Sequence, residues 1–148
     1  MQLSVIEYAR DVLGLSDANS EEFGSTTDPV ISLMEEQKQI KNLGGTMRLG
    51  GYNCKLSKNS MAYELYKQDM IVERHRHRFE YNNNYRDKLE KHGLKTVGIN
   101  PELDLVEIVE IPKNDYFVAC QFHPEFLSRP NKPGPLFDGL ISCAVNKK

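Results

Sequence analysis

Three short apolar runs, residues 94–99, 105–111 and 116–122, leave the fewest choices of fold open. Each has the length of a strand and is rich in Val, Ile or aromatic residues. Asn100-Pro101 separates the first from the second, and Pro112-Lys113-Asn114-Asp115 the second from the third. Both are turn sequences, so the runs read as adjacent strands.

Ahead of them, helix and strand signals mix. Leu3, Val5, Ile6, Ala9, Val12 and Leu13 recur at helical spacing, and Gly14 sits where such a helix would stop. The apolar pattern begins at once behind Met1-Gln2, without the Ser, Thr, Asp or Asn that normally opens a helix. That is the pattern of a chain cut at a helix N-terminus. Residues 17–25 read as a loop and 29–31 as a short strand. A strand-like stretch over 46–56 contains Gly50 and Gly51, which suggest a bulge or bend. A short helix is expected at 60–66, and one extended run at 71–81 ends at Asn82-Asn83-Asn84. A short helix over 85–92 is closed by Gly93, and a last helix covers 137–145. The expected fold is α/β, a mixed sheet flanked by helices. There is no internal repeat and no dividing linker.

At 148 residues, 39% hydrophobic and 27% charged, the chain can bury one core. A net charge of -2 gives no general attraction for nucleic acid or anionic lipid, so neither is an expected partner. No apolar run is long enough to span a bilayer and no secretory leader is visible, which reads as cytoplasmic. Cys54, Cys120 and Cys143 form no CxxC pair and no disulfide framework; no metal site is expected, and free thiols fit best.

Two stretches could carry chemistry. In the first, the apolar run 118–122 enters His123-Pro124-Glu125. Pro124 disfavours the helical region for His123, and in an extended segment residues two apart project to the same side. Glu125 can therefore reach the His123 imidazole, fix its tautomer and leave the other nitrogen to act as a base. The same residues would also suit a strand ending in a proline turn with two surface side chains. Cys120 is a poor nucleophile for this histidine, since three residues along an extended segment it faces the other way, with Cα atoms about 10 Å apart. Cys54 falls on a strand and Cys143 in a helix, whereas such nucleophiles stand on a glycine-flanked strand-to-helix turn.

The second stretch is Glu73-Arg74-His75-Arg76-His77-Arg78-Phe79-Glu80. On one strand its arginines share a face and its histidines the other. Three guanidinium groups argue against a metal at His75 and His77, and one strand is too narrow a basic field for nucleic acid. An arginine here could bind a carboxylate bidentately, or the segment could be a solvated edge strand with its charges paired to Glu73 and Glu80.

Residues 1–10, 18–23, 44–50, 74–80 and 118–126 with Ser128-Arg129-Pro130 resemble, in this order, segments of the CTP synthase family. The resemblance covers essentially the whole chain. It implies that residues 1–148 are the C-terminal portion of a class I glutamine amidotransferase domain, its sheet incomplete on the N-terminal side. The parent enzyme would make CTP from UTP, ATP and glutamine. By resemblance, His123 is the general base and acid and Glu125 its orienting carboxylate. Arg78 resembles the arginine that binds the glutamine carboxylate, and Glu22 and Gln2 resemble further glutamine contacts. Phe79 replaces an aromatic that is more often Tyr, and residues 46–50 are a family marker without an assigned role. The family's nucleophile lies in a Cys-Leu-Gly directly before the Met-Gln that opens this sequence, which implies a truncation and no glutaminase activity for this piece alone. ATP and Mg would belong to the absent synthase domain, and the full-length parent is expected to be a homo-oligomer. A non-catalytic glutamine-binding or interaction module, another class I amidotransferase and a γ-glutamyl hydrolase are the competing readings.

Overall fold

A computed structural model describes residues 1–34 and 47–146. Gly44, Gly45 and Thr46 of the marker segment lie outside the described residues. Helix α1 (Gln2–Asp11) forms as its periodicity predicts, burying Val5, Ile6 and Ala9. Burial of Val5 and Ile6 stabilises the docked helix by about 1.5–3 kcal/mol each. Met1 stands at the N-cap and makes no side-chain cap hydrogen bond.

The expected loop over 17–25 instead contains a strand, β1 (Ala18–Ser20), followed by a single 3-10 turn, Glu21–Phe23. Three residues are too few for a periodic signal; Ser20 marks the switch, its hydroxyl accepting from the Glu22 N–H at 3.2 Å. β1 pairs in parallel with β2 (Asp28–Ser32), which pairs antiparallel with β5 (Glu80–Tyr81). These three form a small mixed sheet.

A second sheet has the order β4-β3-β6-β7-β8, all neighbours antiparallel. Its members are β3 (Arg48–Leu56), β4 (Met70–His77), β6 (Lys95–Asn100), β7 (Leu105–Glu110) and β8 (Val118–Cys120). The three late strands are adjacent as expected. No bulge interrupts β3 against β4, whose register runs unbroken from Arg48↔His77 to Lys55↔Met70. Gly50 lies within that ladder at φ 99°, a conformation open to glycine. Helix α2 (Met61–Tyr66) is capped by the Ser60 hydroxyl, α3 (Arg86–Lys91) precedes β6, and α4 (Pro135–Asn146) closes the chain. Among the described residues, no helix is long and apolar enough to cross a membrane.

β7 is buried at every position. Val106 and Val109 belong to a core with α1, β1 and β2, while Ile108 belongs to a second with Cys54, Leu56, Ala62 and Leu136. Two acidic residues sit inside this strand at a cost in desolvation, so each needs a partner. Glu110 accepts from the N–H groups of Met61 (3.1 Å) and Ala62 (2.7 Å), sealing the start of α2. Glu107 accepts from Arg48 at 2.7 Å.

The five-stranded sheet curls until its two outer strands meet: the His123 N–H, just beyond β8, donates to the carbonyl of Arg74 on β4 at 2.8 Å.

Candidate active site

The meeting point of β4 and β8 gathers most of the predicted site. Past β8 the chain stays extended, and its side chains continue to alternate. Val118, Cys120 and Phe122 pack into the second core, while Ala119 joins the first. Gln121 and His123 thus share a side of the strand, opposite Cys120.

His123 has φ -108° and ψ 85°, outside the helical region, and Pro124 opens a 3-10 turn over Pro124–Phe126. The turn brings Glu125 Oε1 to 2.7 Å from His123 Nδ1. Slight burial raises the Glu125 carboxyl, but the hydrogen bond from His123 outweighs it and holds the group below the usual carboxylate range. Phe126 stacks on the imidazole, centroids 5.1 Å apart and planes 20° from parallel, fixing the ring from a third direction. With Nδ1 committed to Glu125, Nε2 is the nitrogen left for chemistry.

Arg74 and Arg76 lie exposed on one face of β4 and His75 is buried on the other, as the alternation predicts. Arg78 departs from that pattern. The single extended run expected over 71–81 breaks after His77, and Glu80-Tyr81 cross into the other sheet as β5. The peptide at the break serves other partners than a ladder: the Phe79 carbonyl accepts from Gln2 Nε2 at 3.0 Å and from Gln121 Nε2 at 2.9 Å. Arg78 is therefore half-buried at a bend next to the start of α1. Gln2 thus reaches the residue after Arg78 and, through the Gln121 side chain at 3.4 Å, the segment that leads to His123. Glu22 is carried separately, exposed on the turn that follows β1.

Beneath the bend lies a buried polar cluster. The Arg48 guanidinium donates to Glu80 Oε1 at 3.2 Å and to Glu107 Oε1 at 2.7 Å, and lies 4.3 Å from the Tyr52 ring centroid. Glu73 and Glu80 do not serve as surface counter-charges: Glu80 is bound to Arg48, and buried Glu73 accepts from the Tyr66 hydroxyl at 2.8 Å. Burial pushes the Glu80 carboxyl up to about 7 against the pull of Arg48. Burial, with Arg48 adding to it, pushes His75 down to about 3 and His77 down to about 4. The two rings hydrogen-bond each other, His75 Nδ1 to His77 Nε2 at 2.8 Å. Among the described residues, no group of three His, Cys, Asp or Glu could hold a metal ion.

Arg48, Glu107 and Gln121 received no role from sequence reasoning. Their signal was present as polar residues inside apolar strand patterns, since such groups are buried only with partners. All three cysteines are free thiols, and Cys143 on α4 belongs to neither core. Cys54 is buried, and burial pushes the Cys120 thiol up to about 12.

Comparison with known proteins adds the following. The profile of a family described as Glutamine amidotransferase class-I matches residues 1–143. The chain is 59% identical to a CTP synthase of Fibrobacter succinogenes and 56% identical to one of Nostoc punctiforme, with 100% and 98% of the chain covered. It spans 27% of the length of each of these relatives. Among solved structures it resembles the glutaminase domain of Trypanosoma brucei CTPS with bound acivicin, with TM-score 0.91 and 39% identity, covering all of this chain and 58% of that one.

Proposed function

The chain belongs to the class I glutamine amidotransferase family, and from that premise we propose that it is part of the glutamine-hydrolysing domain of a CTP synthase. The observation that carries this reading is the His123–Glu125 pair, 2.7 Å apart, two residues beyond Gln121, whose side chain meets Gln2 and the carbonyl of the residue after Arg78. Arg78 binds the carboxylate of glutamine, with Gln2 and Glu22 as further contacts. His123 accepts the proton of a cysteine thiol, which attacks the side-chain amide to give a γ-glutamyl thioester. The protonated imidazole, stabilised by Glu125, gives its proton to the departing ammonia. His123 then activates the water that releases glutamate. The ammonia would aminate UTP in an ATP- and Mg-dependent synthase domain elsewhere in the parent protein.

None of the cysteines in the chain suits the nucleophile's role: Cys54 is buried, Cys120 faces away with its thiol held protonated, and Cys143 lies on α4. The thiol is proposed to come from a Cys-Leu-Gly that precedes Met1 in the parent, and the chain alone to be inactive on glutamine. Replacing His123 by Asn in the parent should abolish glutaminase turnover; retained turnover would overturn the assignment. A measurable rate from the purified 148-residue chain would overturn the proposed inactivity.

The placement of the cysteines, with Cys54 in a core, Cys120 on the opposite side of its strand from His123 and Cys143 on α4, also favours a second reading, a glutamine-binding module that is complemented in trans. Calorimetry with L-glutamine, and capture of a chain bearing the nucleophile, would support it. No heat and no capture would exclude it.

A further inference from the structure

Gln121 breaks the apolar run that leaves β8, yet it is only 7% exposed. A buried amide with two donor hydrogens and an acceptor oxygen needs partners for both ends. Its Nε2 donates to the Phe79 carbonyl at 2.9 Å and lies 3.4 Å from Glu80 Oε2. Its Oε1 accepts from Gln2 Nε2 at 3.4 Å. One side chain thus touches the start of α1, the bend that holds Arg78, and the first residue of β5.

Glu80 is itself tied back to Gln121. Arg48 holds the other oxygen of Glu80, Glu107 holds Arg48, and the Glu107 carbonyl accepts the Gln121 N–H at 2.8 Å. The ring of contacts closes on Gln121 itself, in a buried setting where each bond is electrostatically strong.

We propose that Gln121 is a positioning residue that sets the separation between Arg78 and His123 in the glutamine site, a role that rests on the function proposed above. The Phe79 carbonyl belongs to the residue directly after Arg78, so anchoring it fixes where the guanidinium starts. His123 lies two residues beyond Gln121 on the same side of the strand, so the same anchor fixes where the imidazole starts. Substrate held at one end then meets the base at the other in a single geometry, and an error of about 1 Å between them would cost heavily in rate.

The test is amide hydrogen exchange, read by NMR on the chain and on its Gln121→Met variant, which keeps the side chain's length and loses its hydrogen bonds. Exchange at the Glu80 and His123 amides should rise together by about tenfold, the scale of one lost hydrogen bond. Val106 and Ile108 in β7 should keep their rates. Unchanged exchange at Glu80 and His123, or an equal rise at Val106 and Ile108, would overturn the proposal. L-glutamine titrated into the same samples should shift Arg78 in the unmodified chain and bind the variant about tenfold more weakly; equal affinity would overturn the proposal. Local loosening in the variant without any glutamine binding by the unmodified chain would support the Gln121 anchor and count against the functional reading. Should the variant not fold, the unmodified chain decides. Slowly exchanging Gln121 side-chain amide protons coupled to the Phe79 carbonyl support the anchor, and freely exchanging ones overturn it.

Discussion

Arg48 and Glu107 meet at 2.7 Å inside the curled sheet, with 4% and 0% of their side chains exposed. Arg48→Met would leave Glu107 and Glu80 buried without their cation. The expected cost is about 3–5 kcal/mol, read as a lower urea midpoint. A variant as stable as the unmodified chain would show that both carboxyls are already neutral.

His75 and His77 give the fold a pH dependence. Their folded pKa values, about 3 and about 4, lie below the ordinary 6.5. Each therefore contributes stability that is present above 6.5 and lost as pH falls towards the folded value. Glu80 acts in the opposite sense, since its raised value favours the folded state at low pH. The contribution of one histidine is isolated by difference. Between pH 6.5 and about 4, the unmodified chain should lose stability relative to His77→Gln by about 1.4 kcal/mol per pH unit, measured by denaturant titration.

Gly98 packs where a methyl group has no room. A Cβ there would lie 2.7 Å from Ile108 Cγ1 and 2.8 Å from Cys54 Sγ. Gly98→Ala should cost about 1–3 kcal/mol through overpacking of the second core. Equal thermal midpoints for variant and parent chain would contradict this.

In the CTP synthase proposed above as the parent, Glu125→Ala should lower kcat for glutamine hydrolysis roughly a hundredfold or more, because the imidazolium loses its partner and its orientation. KM should change little, since Glu125 is paired with His123 rather than assigned to the substrate. A dominant rise in KM would place Glu125 among the binding residues instead.

What was legible in the sequence was local. The His-Pro-Glu geometry follows from a proline and a two-residue spacing, α1 from helical periodicity, and the last three strands from short apolar runs between turn sequences. The break at Arg78 was not legible. Its cause is a carbonyl that accepts from residues 77 and 42 positions away in the chain, so the alternating pattern simply ran on through it. Arg48 was hidden for the same reason: its partners Glu80 and Glu107 are 32 and 59 residues distant. Polar residues in strand patterns announce that a partner exists without saying which.

The hydrogen bond from His123 to Arg74 joins the two outer strands of a sheet that would otherwise end in open edges. Open edges are where separate molecules add strands to one another and begin to aggregate. By tying β8 to β4, the segment that carries the histidine also occupies one backbone acceptor midway along the outer edge of β4. Loosening it would free that edge for self-association as well as displace His123.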